Sequence, residues 1–441
     1  MFDTLLYNAL VVTVDADLRD ISGGALAVRG GVIQKVWRPA PGEALPAARE
    51  TIDLAGSLLM PGLVNAHTHL PMSLFRGLAD DLPLHQWLTE HIFPAEARFL
   101  TAATVATGTR LACAEMLLNG ITTCCDGYFL ADAVAAAVAE TGMRAVLGQG
   151  VVDFPAPGVP DPSKNVAHAA EFIEQWPAGP SLLRPSIFCH SPYTCSAQTL
   201  KAAKKTSARA GVLFQIHAAE TRSEVEQCRA EHGCSPVRHL QKLGLLDAQT
   251  LLVHAVWLDA EDIRIVADHG AAVAHCPQSN MQLGAGVAPL PDLVAAGIAV
   301  GLGTDSCASN NDLDLLAEMD TAAKLHKVRR LDPTVMDAAM VVRMATCEGA
   351  RAIGLGGHIG SLTPGRRADL IVIDLNQPHL VPLYHPASHL VYAASGADVR
   401  HVMIDGRWIV RDRRILTIDV ESVLKAAAAL GRAIAAAEKA P

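Results

Sequence analysis

Ten cysteines occur in this chain, yet none form a C-x-x-C pair. A zinc ribbon and a thioredoxin-like redox site are therefore excluded, and ten thiols in 441 residues do not make a disulfide scaffold. Reduced thiols in a cytoplasm are expected, with the adjacent Cys124 and Cys125 simply packing. Aromatic residues are scarce, at 4%. Basic runs are missing: the net charge is −9 and the acids are spread out, which argues against a nucleic-acid partner. The start, MFDTLLYNALVVTVDAD, lacks a basic segment and meets Asp3 at once, so no secretory signal is predicted. Charge interrupts every longer apolar stretch, as in DAVAAAVAETG, and no membrane span is predicted. A Gly-rich phosphate turn is also absent; GLGTD at 301–305 fits neither G-x-G-x-x-G nor a P-loop.

What is present is a globular composition, 50% hydrophobic, long enough for one large domain and a smaller one. Residues 1–58 read as short strands broken by Gly-Gly and Arg-Gly-Gly turns. Residues 364–420 return to that texture, with ADLIVIDL as a buried strand and Asp405-Gly406 as a strong hairpin signal. Neither end can close a core alone, so the two are expected to pair into one small β-sandwich domain. An Ala-rich C-terminal helix is expected over 421–441.

Between them, over 59–363, short apolar runs alternate with helical patterns. The runs are LLMPGLVNA, ITTCCD, RAVLGQGVV, SLLRPSIFC, VLFQI, TLLV, AAVA and IAVGLGT. Eight βα units over about 300 residues is the size of a (β/α)₈ TIM barrel. The ends of these runs carry the chemistry. The first ends in His67 and His69, the fourth in His190, the fifth in His217, the sixth in His254, the seventh in His275 and the eighth in Asp305. In such a barrel the strand C-termini converge on one face. Any one of these histidines alone reads as a core residue with a hydrogen-bond partner; six of eight run ends together read as a metal centre.

Strand side chains alternate, so His67 and His69 point the same way. Three imidazoles and one carboxylate suit Zn²⁺, with Fe²⁺ as the alternative. His67, His69, His217 and Asp305 are the expected ligands. Glu220 follows His217 by three residues, beside the metal without ligating it, which suits a general acid/base. His254 is expected next to the ligands, polarising the metal's water. No lysine ends the fourth run, where a two-metal hydrolase can place its carboxylated bridge, so one metal per chain is expected.

On PGLVNAHTH, H-A-A-E, LLVHAV, GLGTDS and GSLTPGRRADLIVID, in that order, the chain resembles the amidohydrolase superfamily along nearly its whole length. Within it, HLPMSLFRGLADDLPLHQWL, FPAE, CHSPYTCS, HCPQSNMQLGAGVAPL and GTDSCASNNDLDLLAEM resemble the 5′-methylthioadenosine/S-adenosylhomocysteine deaminases. That resemblance implies hydrolytic deamination of an adenine nucleoside at C6, with Asp305 and Glu220 handling protons. It also implies that Trp87 encloses the adenine, Glu96 bonds the ribose hydroxyls, and His190 and Ser309 lie around the nucleoside. The loop after the third run, GQGVVDFPAPGVPDPSK, is expected to overhang the pocket, with Gln149 as a contact. It contains no arginine for a carboxylate tail, so a methylthio group suits it better, although Lys164 or Arg76 could reach such a tail. Other readings stay open: a triazine chlorohydrolase, a guanine- or cytosine-type deaminase, or a metal-free scaffold. A homo-oligomer is expected.

Overall fold

The computed structural model describes residues 1–17, 19–177 and 182–438. Ser181 of the fourth run and residues 439–441 of the expected C-terminal helix lie outside the described residues.

The two chain ends do pair. Five N-terminal strands (Phe2–Val12, Asp20–Arg29, Val32–Trp37, Ala48–Asp53, Leu58–Pro61) and four C-terminal ones (Leu370–Ile373, Val399–Ile404, Arg407–Arg411, Arg414–Ile415) form one mixed nine-stranded sheet. The ends meet where Leu58–Pro61 runs antiparallel to Leu370–Ile373. The sheet has its own core, which includes Leu6, Leu26, Ile33, Leu59, Leu370 and Met403. Asp405 and Gly406 are both left-handed, at φ 55° and 75°. Two successive positive φ values make the tight turn whose twist matches the strands it joins.

One expectation needs correction. LLMPGLVNA is not a single strand. Leu58–Pro61 belongs to the terminal sheet and Leu63–Thr68 to the barrel. Gly62 is the divide: a Cβ there would lie 2.2 Å from the Thr122 side chain, so the chain passes only as glycine. A run buried in two sheets has no polar residue to mark the crossing.

The barrel consists of eight parallel strands in sequential order. They are β1 (Leu63–Thr68), β2 (Ile121–Tyr128), β3 (Arg144–Val151), β4 (Leu183–Cys189), β5 (Phe214–Ala218), β6 (Thr250–His254), β7 (Ala272–His275) and β8 (Val300–Leu302). With helices outside and side chains inside, these strands are buried on both faces and read as continuous apolar runs. β8 is short, and closure onto β1 is made beyond its end. The Asp305 N–H donates to the His67 carbonyl at 3.1 Å, and the Thr68 hydroxyl donates to the Asp305 carbonyl at 3.0 Å. The seam of the barrel thus runs through two candidate ligands.

At the opposite end Arg144 makes a buried two-pronged pair with Asp369, at 2.6 and 3.0 Å. This ties β3 to the terminal sheet, and Asp405 joins the pair, 3.4 Å from Arg144 and donating its N–H to Asp369 at 2.7 Å.

The wall over the strand C-termini comes from residues 84–99. Leu84–Gln86 begins a helix that widens into a π-helical turn, Trp87–Ile92, before the helix Phe93–Phe99. Pro94 explains the widening. It has no N–H for the Glu90 carbonyl and its ring needs room there, so the Phe93 N–H reaches back to Leu88 instead. The C-terminal helix Val420–Glu438 backs this wall, placing Ile434 in one apolar cluster with Trp87 and Ile92. No helix among the described residues is long and apolar enough to cross a membrane.

Candidate active site

His67, His69, His217 and Asp305 come together: one ligand atom from each lies within 4.8 Å of all the others. His67 Nε2 is 3.2 Å from His217 Nε2 and 3.4 Å from Asp305 Oδ1; His69 Nε2 is 3.3 Å from the same oxygen. The outer contacts aim these atoms. His69 Nδ1 lies 2.6 Å from the Gly127 carbonyl at the end of β2, so Nδ1 carries the proton and Nε2 offers its lone pair to the centre. Asp305 Oδ2 accepts hydroxyls from Ser279 at 2.6 Å and Ser309 at 2.9 Å, which leaves Oδ1 facing the histidines. Asp305 itself is left-handed, at φ 57°.

Protonation fits a metal centre. Burial, with the neighbouring imidazoles, holds His217 well below the usual histidine range, and burial lowers His67 to about 4 and also lowers His69. Burial alone would raise Asp305, but the His67 contact and the neighbouring His69 and His254 imidazoles hold it well below the usual carboxylate range. Three imidazoles and one carboxylate, all buried or nearly so, bring one ligand atom each to a single point. A single Zn²⁺ fits this donor set, with room left for water.

Glu220 and His254 stand beside it. Glu220 Oε2 is 3.8 Å from His254 Nε2. Burial, then the charge of Asp305, pushes the Glu220 carboxyl up to about 8. His254 leaves the extended conformation at φ 72°, and its Nδ1 lies 3.0 Å from Asn280 Oδ1.

A cavity opens over these groups. Trp87 and Glu96 line it, as do His190, Glu220 and His254. The Trp87 Nε1–H is buried without a partner, a donor open to a ligand. The Tyr128 hydroxyl donates to Glu96 Oε1 at 2.5 Å, and Glu96 itself lines the cavity. Burial outweighs that bond and lifts Glu96 to about 7. His190 is held through Nδ1 by the Thr194 and Ser191 hydroxyls, at 3.0 and 3.2 Å.

Two expected contacts fall differently, and one run end stays apart. Gln149 does not face the cavity: its Oε1 accepts the Ala131 N–H and its Nε2 donates to the Gly150 carbonyl, so both ends are used by backbone. Ser309 sits behind Asp305, and Ser306 lines the cavity instead. His275 ends β7 but does not join the centre; its Nε2 lies 3.1 Å from Nε2 of His326, on the outer helix Leu315–Arg330. Sequence reading also missed Tyr128, Phe188, Ser279 and Asn280. The last two fall in HCPQSNM directly after β7, where position alone could have flagged them.

Set beside known proteins, the chain matches the amidohydrolase family profile over residues 58–409. It is 49% identical over 435 residues, 98% of each chain, to a 5-methylthioadenosine/S-adenosylhomocysteine deaminase of Syntrophobacter fumaroxidans. Its structure is similar to that of an adenosine deaminase from Xanthomonas campestris with bound zinc, with TM-score 0.96, 38% identity and 99% of both chains covered. It is also similar to a zinc-complexed atrazine chlorohydrolase from Arthrobacter aurescens, with TM-score 0.90, 25% identity, and 97% of this chain and 100% of the other covered.

Proposed function

The chain belongs to the amidohydrolase family, and from that premise we propose that it is a zinc-dependent aminohydrolase of adenine nucleosides. Water replaces the C6 amino group of the purine; the products are the inosine-type nucleoside and ammonia. The observation that carries the reading is Glu220, a buried carboxyl 3.8 Å from His254 at the edge of the four-ligand centre. Displacing an amine needs a proton donor, whereas chloride leaves without one.

A bound Zn²⁺ supplies a water acidic enough to attack at neutral pH. The chain's own residues do the rest. The Glu220 carboxyl gives its proton to purine N1 as C6 becomes tetrahedral, while Asp305 Oδ1 takes the one that the attacking water loses. The second water proton, then on the C6 hydroxyl, passes through the Glu220 carboxylate to the departing amine, and Asp305 returns its proton to Glu220. His254 borders the attacking side. Trp87 encloses the base, and Glu96 accepts from the ribose hydroxyls.

Among the described residues no lysine or arginine lines the cavity. Arg76 is committed to Glu115 and the Asn311 carbonyl, and Lys164 sits exposed beside Asp161. A carboxylate tail would enter without a cation, whereas apolar Val151, Val152 and Leu84 suit a methylthio group. Methylthioadenosine is thus the preferred substrate, with adenosine accepted and S-adenosylhomocysteine poorer. The same reading has a homo-oligomer in a reducing cytoplasm; all ten cysteines are free and nine are buried.

An ammonia-release screen across adenine nucleosides, guanine, cytosine and chlorotriazines tests the reaction, and parallel kinetics on the three nucleosides test the ranking. Turnover of a chlorotriazine alone overturns the first; a clear preference for S-adenosylhomocysteine overturns the second.

A further inference from the structure

Glu224 is a buried carboxyl outside the cavity wall, and the reaction above gives it no part. It sits three residues into the segment after Thr221, the cap of the helix Arg222–His232; the Thr221 hydroxyl accepts the Glu224 N–H at 3.2 Å. In an ordinary capping box a glutamate at this position reaches back to the cap residue's own N–H. Here the carboxyl reaches further. Oε1 accepts the Ala219 N–H at 2.8 Å and Oε2 accepts the Glu220 N–H at 2.7 Å. Those are two of the three amides that link the ligand His217 to the proton-handling Glu220.

That stretch needs holding. Ala219 is left-handed at φ 54°, which costs a residue with a Cβ about 1–2 kcal/mol. Its carbonyl is gripped from the other side by the N–H groups of Val256 and Trp257, at 3.0 and 2.9 Å. These belong to the loop that follows His254. The Ala219 unit is therefore clamped between the His254 loop and the Glu224 carboxyl. No Lys or Arg among the described residues pairs with Glu224; its acceptor oxygens serve those two amides.

We propose that Glu224 is a positioning residue: through the Ala219 and Glu220 amides it holds the Glu220 carboxyl where it can pass protons to substrate. This rests on the deaminase reading and on Glu220's role in it. It predicts a loss in kcat rather than in substrate binding, and a loss that vanishes once Glu220 can no longer carry a proton.

The experiment is a double-mutant cycle with methylthioadenosine, using Glu224→Gln, Glu220→Gln and the pair, with zinc content and melting temperature measured on each. Gln keeps the size of Glu224 but offers one acceptor in place of two. Glu224→Gln is expected to lower kcat about tenfold or more, to leave KM within about threefold and to keep one zinc per chain. In the Glu220→Gln background it is expected to change kcat less than about twofold. Glu224→Asp, charged but one methylene too short to reach both amides, should fall on the same side. Additive losses, a loss confined to KM, or a loss that tracks zinc content overturns the assignment of Glu224 alone. A fully active Glu220→Gln enzyme overturns the deaminase mechanism with it, so the two failures are told apart.

Discussion

His254 and Asn280 are joined at 3.0 Å through Nδ1 and Oδ1, and the link decides which imidazole nitrogen looks at Glu220. With the proton held on Nδ1, Nε2 is bare and faces the carboxyl 3.8 Å away. Asn280→Ala frees the ring to turn. Partners of this kind are worth about 10–100-fold in activity, so kcat should drop by at least tenfold with zinc retained. Steady-state kinetics and elemental analysis on one preparation check it; unchanged turnover would leave the contact a packing detail.

His217→Ala removes one donor from a centre that needs all four. Zinc content and turnover should fall together. Elemental analysis of wild type should give one zinc per chain. Two tightly held ions, or full activity without metal, would contradict the ligand set.

Glu220→Gln keeps the shape and cannot shuttle a proton. A loss on the order of a hundredfold or more in kcat is expected, with metal content unchanged. Normal turnover would make Glu220 a bystander and favour the chlorohydrolase reading.

Glu96 is raised to about 7 in the folded chain. Its proton is held more tightly folded than unfolded, so what this group contributes to stability is present below its ordinary pKa and is lost as pH rises through about 7. Ribose binding runs the other way, because hydroxyl donors need the carboxylate. For nucleosides kcat/KM should therefore rise with pH through that value, and Glu96→Gln should remove the inflection while hurting nucleosides far more than free adenine. An inflection that survives in the Gln variant belongs to another group.

Much of the fold was legible because local chemistry writes it. The barrel rhythm, the Asp405-Gly406 turn and the pairing of the chain ends follow from apolar runs, φ-permissive residues and strands too few to close alone. The ligands His67, His69, His217 and Asp305 were legible as run ends. Gln149 was not, because an amide at a strand end serves a ligand or a backbone N–H equally well, and only the arrival of Ala131 decides.

His254 and His275 mark the limit. Both end apolar runs, and continuing the pairing of Val253 with Ala274 puts them level on neighbouring strands. The sequence alone determined that each would stop at the C-terminal rim of a parallel barrel, since hydrophobic period and length fix that. Only the tertiary structure decided where each side chain went. At His254 the backbone turns left-handed, held by Ala218 and Ala219 across the rim, and the ring swings to Glu220. His275 keeps its strand geometry and meets His326 on the outer helix. The direction of a strand-end side chain hangs on one φ, and that φ is set by hydrogen bonds to residues distant in sequence.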